Sequence, residues 1–266
     1  MFNSKVFVAE LIGTFALTLI GAAAGVVGDA SNSLGVSVLL SALASGCVLA
    51  VFVYIYGSIS GSHLNPAVTF GMALNGTLKW GQAAFYWLAQ LVGAIIAGFL
   101  LSYMLTSLGG NIQGGATLGV LTSPGAASTS SYIMAMIFEA ILVFFLVSAY
   151  MQTTVDGKFV SPAAAWVIGM TLAFGILGGG AFSGGSLNPA RTLGVLLPLA
   201  LATEDYTMLA SPFTYVVYLL GPLVGATLAI MATNFFQGGA AEDEDVEEVL
   251  IVESVVMDED DEAVGK

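Results

Sequence analysis

Two copies of one tripeptide, Asn65-Pro66-Ala67 and Asn188-Pro189-Ala190, are the residues of this chain best suited to act on something passing by. Asn is a favoured helix N-cap and Pro a favoured first helical residue, so each copy predicts a helix start. An Asn whose carbonyl caps its own helix keeps its amide N–H groups free to donate into a lumen, where a water would have to present its oxygen. Two such starts facing each other would bring together two positive dipole ends of roughly half a charge each. Cations would meet a barrier there, and a water oriented by both asparagines would relay protons poorly. One copy alone reads as a plain helix cap; two copies call for a shared purpose.

The elements that must position them follow from composition. Of 266 residues, 57% are hydrophobic and 9% charged, and the mean hydropathy is +0.93, far from the range of a soluble domain. Segments of roughly 20 residues cross a hydrocarbon core of about 30 Å, and six are found: about 6–27, 35–57, 82–105, 131–152, 161–180 and 212–236. Two shorter pieces, about 66–76 and 189–199, reach only half-way across at 1.5 Å per residue. The expected fold is therefore an all-α membrane protein with six transmembrane helices and two re-entrant half-helices. The stretch 59–71 matches 182–194 at eight of thirteen positions, and Glu10 and Glu139 open equivalent spans. Three spans separate the copies, an odd number, so the repeats, about 5–105 and 131–236, are inverted and their motifs meet near the midplane. Threading six spans puts Lys5, Lys79, Lys158 and Lys266 on one side, which by the positive-inside rule makes both termini cytoplasmic. The apolar N-terminal stretch is too long for a signal peptide and is interrupted by Glu10.

The formal charge of −13 is localised, because twelve of the eighteen acids lie in 242–262. Residues 238–266 read as an acidic, solvated, disordered tail beyond a channel domain of 1–237, with a high-salt habitat or a partner-binding role as alternatives. Such a balance argues against nucleic acid. Cys47, the single cysteine, has no disulfide partner and is expected to be a small packing residue.

Arg191, directly after the second motif, is the only arginine. At membrane depth an arginine is functional by default: it either lines the pore, repelling cations and donating to a permeant's oxygen, or pairs with an acid. Glu10 and Glu139 are proton relays or structural acceptors for the N–H groups of re-entrant loops, and their symmetry favours the structural role. His63, the only histidine, offers a pH gate or, more simply, a hydrogen-bonded ring that lends an acceptor to water. Gly61, Ser62, Gly184, Gly185 and Ser186 flank the motifs, and the glycines let backbone carbonyls face the lumen. Gly13, Gly21, Gly93, Gly98, Gly169, Gly221 and Gly225 read as close helix contacts.

The segments SGSHLNPAVTFG and SGGSLNPARTLG resemble the paired signature loops of the aquaporin, or major intrinsic protein, family, with an archaeal or tonoplast-type character, over roughly residues 5–236. The resemblance implies a homotetramer in the membrane lipid of a cell, one pore per protomer, passing water with no cofactor. It also implies a selectivity ring of Ser45, Ile176, Gly185 and Arg191. Water-selective members carry an aromatic and a histidine where Ser45 and Ile176 stand, so a wider ring is expected, open to ammonia, urea or glycerol, with Phe52 or Tyr54 able to shape the lumen. Dedicated glycerol channels have Asp where this chain has Thr192. A secondary transporter would need a coupling-ion site, and the spans offer only Glu10 and Glu139. An enzyme would need a nucleophile and base or metal ligands, which the sequence does not group. An adhesive role for the 106–130 loop would coexist with conduction.

Overall fold

A computed structural model describes residues 3–30, 32–108, 128–155, 158–159 and 163–237. The acidic tail, most of the 106–130 loop and the side chain of Lys158 lie outside the described residues. By compactness the chain divides into Met1–Ile230 and Met231–Lys266, and the described part of the second unit is helical over 231–237.

The helices are α1 (Ser4–Asp29), α2 (Leu34–Ser60), α3 (Pro66–Leu74), α4 (Trp80–Ser107), α5 (Thr129–Thr153), α6 (Ala164–Gly179), α7 (Pro189–Thr203), α8 (Thr207–Ala210) and α9 (Pro212–Gln237). A two-residue antiparallel ladder pairs Thr154–Val155 with Lys158–Phe159 after α5. Among the described residues five helices, α1, α2, α4, α5 and α9, have the length and apolar composition to cross a membrane. The expected fifth span is shorter than 161–180: α6 is helical for 16 residues, about 24 Å at 1.5 Å per residue. The glycine run 178–180 and the turn after it end this helix, because glycine gains little from staying helical. The half-helix α3 stops at Leu74, where Asn75 and Gly76 (φ 80°) turn the chain, whereas α7 runs four residues past the expected 199. In α9 a π-turn covers Val216–Leu220, with the Gly221 N–H donating to the Val216 carbonyl. Pro222 follows at once and has no N–H to continue the α-register, which accounts for the shift.

The halves pack by equivalent close contacts. A Cβ at Gly93 on α4 would run into the Leu11 carbonyl of α1, and one at Gly225 on α9 into the Ala140 carbonyl of α5, which holds the same place in the second repeat. Gly46 on α2 and Gly169 on α6 meet backbone to backbone in the same manner. Without a hydrophobic driving force between lipid-solvated helices, such approach supplies the packing energy. Gly13 departs from the expectation, since it receives the Leu64 side chain of a loop and not a helix. Gly93→Val is expected to lower the unfolding midpoint in detergent, by ~1–3 kcal/mol or more for an overpacked core. Gly81→Ala, with nothing within 4 Å of its Cβ, should leave the midpoint in place.

The outward faces are apolar, with Phe174, Leu228 and Tyr54 exposed, as a lipid-solvated surface requires. Tyr54, 76% exposed, therefore cannot shape the lumen. Cys47 is also exposed on α2, contrary to the expected packing role, because it falls on the helix face opposite Gly46 and Ser45.

Candidate pore and selectivity site

Each re-entrant loop is bent by three residues in the left-handed region: Gly61, Ser62 and Leu64 in the first, Gly184, Gly185 and Leu187 in the second. For the leucines this conformation costs roughly 1–2 kcal/mol each, so something must hold them. Glu10 does so in the first loop. It accepts from His63 N (2.9 Å), Leu64 N (2.7 Å), Ser60 Oγ (2.6 Å) and Gln90 Nε2 (2.8 Å). Glu139 repeats the pattern with Ser186 N (2.9 Å), Leu187 N (2.7 Å) and Ser183 Oγ (2.7 Å). The counterpart of Gln90 is Pro222, which leaves Glu139 one donor fewer. Tyr86 and Tyr218 complete the symmetry by donating to the carbonyls of Ser60 and Ser183. Every partner of both carboxylates is a donor, which is the environment of an acceptor.

The loops then deliver Asn65 and Asn188 to the start of α3 and α7. Asn65 Oδ1 accepts from Ala67 N at 2.9 Å, and Asn188 Oδ1 from Ala190 N and Arg191 N at 3.0 and 3.2 Å. The amide groups differ from the expectation that both N–H donors stay free. Asn65 Nδ2 donates to the Leu187 carbonyl and Asn188 Nδ2 to the Leu64 carbonyl, both at 2.8 Å. One N–H of each asparagine thus clasps the opposite loop, and one remains for the lumen. The clasp lets each strained leucine fix the other repeat's asparagine.

A central space of about 10 Å³ is walled by Ser45, Ile176, Arg191, His63, Ser186 and both asparagines among others. That is room for about one water. On the first-motif side it gives way to a vestibule of about 210 Å³ lined by Gly61, His63, Tyr86 and Tyr150 among others. Of the expected ring, Gly185 does not wall the central space; its Cα packs at the end of α6, where a Cβ would sit 3.0 Å from Ile176 Cα. Gly184 lines neither space. Ser62 is also turned away: its hydroxyl donates to the Phe52 carbonyl and its own carbonyl accepts from Tyr150 Oη at 2.6 Å. Phe52 is likewise absent from both walls.

Arg191 is 2% exposed, and among the described residues only Nη2 of its side-chain nitrogens has a protein partner, Ser41 Oγ at 3.4 Å. Its Nε and Nη1 are buried without one, as is the Ser45 hydroxyl. Buried donors without partners are costly, so this corner is built for a guest that supplies oxygen. Serines and glycines explain how the guanidinium fits: Ser37 and Ser41 on α2 donate to the carbonyls of Gly25 and Gly21 on α1, and Gly21 leaves the space beside Ser45 and Arg191 clear.

His63 is held as a hydrogen-bonded ring: its Nδ1 lies 3.1 Å from Thr69 Oγ1, which also accepts from Gln90 Nε2 at 2.9 Å. That contact ties up Nδ1 and leaves Nε2 as the ring nitrogen without this partner. In the second loop Ser186 occupies the matching place and meets Thr192 Oγ1 at 2.6 Å.

Helices that span a membrane, halves inverted about a midplane and a narrow buried lumen between two helix starts define a passive membrane channel. The profile of the family described as Major intrinsic protein matches residues 1–232. Curated relatives include Aquaporin NIP2-1 of Zea mays, 35% identical over 83% of this chain and 67% of its own length. Aquaporin TIP2-1 of Arabidopsis thaliana is 39% identical over 75% of this chain and 72% of its own. The fold matches the X-ray structure of the aquaglyceroporin from Plasmodium falciparum with a TM-score of 0.70 and 22% identity, over 86% of this chain and 94% of that one. The chain belongs to the major intrinsic protein family, the aquaporins, and is a multi-pass membrane channel for water and small solutes.

Proposed function

We propose that each protomer conducts water in single file together with small neutral solutes such as ammonia, urea and glycerol, and rejects ions and protons. The observation that carries this reading is the clasped pair Asn65 and Asn188, each with one amide N–H left at the junction of two helix N-termini. A water there offers its oxygen to both and cannot pass a proton along the file. Arg191, with Nε and Nη1 unpartnered, adds a fixed charge and donors for a permeant's oxygen. Ser45 and Ile176 supply one hydroxyl and one apolar wall, and Glu10 and Glu139 anchor the loops.

The working unit is a homotetramer in lipid, which the apolar outer faces suit. Residues 1–237 form the channel and 238–266 a cytoplasmic acidic tail, with both termini on the side of Lys5, Lys79 and Lys158. The cell membrane is the expected location, and TIP-type relatives favour a tonoplast as the second reading.

The test is stopped-flow light scattering on proteoliposomes. The wild-type protein should shrink osmotically well faster than empty liposomes. Arg191→Val should admit cations that the wild type rejects, since it removes the fixed charge of the filter. Wild-type flux no faster than empty liposomes would end the channel reading.

A further inference from the structure

We propose that the pore carries a second size filter, formed by Tyr150 and His63 on the first-motif side, and that it sets the largest neutral solute that passes. This rests on the channel reading above and locates its selectivity away from the ring of Ser45, Ile176, Gly185 and Arg191.

Tyr150 and His63 are the two residues that wall both the vestibule and the central space, so whatever moves between the two spaces crosses their segment. Their rings meet edge to face, centroids 6.3 Å apart and planes at 87°. Both are held at their polar ends, Tyr150 Oη by the Ser62 carbonyl at 2.6 Å and His63 Nδ1 by Thr69 Oγ1 at 3.1 Å. A second ring, Tyr86, has its centroid 4.9 Å from that of His63. Neither filter residue can swing aside without giving up a buried hydrogen bond.

The inverted repeat shows how unequal the two halves are. Tyr150 stands eleven residues after Glu139, and eleven residues after Glu10 stands Gly21. At Gly21 a Cβ would already collide with Ser45 Oγ. One half of the pore thus has a phenol where the other has no side chain, and the side without it also has the small Ser45. The bulk that the second-motif side lacks is found on the first-motif side.

The chemistry there also disfavours polyols. The Tyr150 hydroxyl proton is committed to the Ser62 carbonyl, and with Nδ1 engaged by Thr69 the His63 ring has a single nitrogen left to offer. A solute with three hydroxyls finds few partners for the water it sheds, whereas one water gives up less.

The experiment uses the full chain in liposomes and reads the ratio of glycerol to water permeability in the wild type, Tyr150→Ala, Tyr150→Leu and Ile176→Ala. The leucine variant retains packing volume should the alanine variant fail to fold. The ratio is expected to rise roughly tenfold in the Tyr150 variants and less than about twofold in Ile176→Ala, as pore width at the narrowest point dictates. A flat ratio in the Tyr150 variants, or a larger rise in Ile176→Ala, overturns the proposal while leaving the channel reading intact. Absence of wild-type water flux would instead strike the channel reading itself.

Discussion

Asn188→Asp is expected to turn the centre of the pore from a site that rejects cations into one that admits them. The cap itself would survive, because an aspartate oxygen can accept from Ala190 N and Arg191 N as Asn188 Oδ1 does. What changes is the other branch of the side chain. Nδ2, which donates to the Leu64 carbonyl at 2.8 Å, becomes an oxygen facing an oxygen. The clasp between loops is lost, at about 1–3 kcal/mol for the stranded group. A full negative charge also arrives where two helix N-termini contribute roughly half a positive charge each. At an effective dielectric constant of about 20, a unit charge about 4 Å from a cation is worth roughly 4 kcal/mol, on the order of a thousandfold in occupancy. The measurement is potassium or sodium uptake into proteoliposomes, with a pH-sensitive dye for protons. Asn65→Asp should leak less or equally, since its site lies in the other repeat and lacks a neighbouring guanidinium whose charge it would cancel. Cation uptake no greater than in the wild type would move the ion barrier away from the asparagines.

The architecture was legible because bilayer physics leaves few choices. Apolar runs of the right length read as spans, and the repeated tripeptide with an odd number of spans between gives the inversion. Less was legible about which face of a span meets the lumen. Hydropathy is as high on lipid-facing as on lumen-facing sides of α2 and α5, so Cys47 and Tyr54 could not be placed outward, nor Tyr150 inward. A signal for Tyr150 did exist: aligned on Glu10 and Glu139, the repeats set a tyrosine against Gly21. The asparagine clasp left no such signal, because its acceptors are the carbonyls of Leu64 and Leu187, which every residue type possesses. The same holds for the partner of His63 Nδ1, since Gln90 and Thr69 arrive from helices whose contact the sequence does not announce. Of the four residues by which α6 falls short of 161–180, only one is at the glycine end, since the helix runs from Ala164 to Gly179.

Glu139→Ala should strongly destabilise the channel, and the reason separates a structural carboxylate from a proton relay. Glu139 is fully buried, and its removal strands Ser186 N, Leu187 N and the Ser183 hydroxyl where water cannot replace the lost acceptor. At about 1–3 kcal/mol for each stranded donor, the loss is on the order of 5 kcal/mol, comparable with the whole stability of many domains. Leu187 would also lose what holds it in the left-handed region, and with it the carbonyl that positions Asn65. Glu139→Gln should fall between, because its carbonyl can serve Ser183 and Ser186 while its amide meets the Leu187 N–H donor to donor. Glu10→Ala should be the more severe of the two alanine variants, since Gln90 is stranded as well and the relay through Thr69 to His63 comes apart. Unfolding midpoints in detergent and the monodisperse fraction on size exclusion give the order wild type, Gln variant, Ala variant. A Glu139→Gln protein with wild-type stability and altered proton flux alone would make the carboxylate a relay, and would mean that the loop is held by its other contacts.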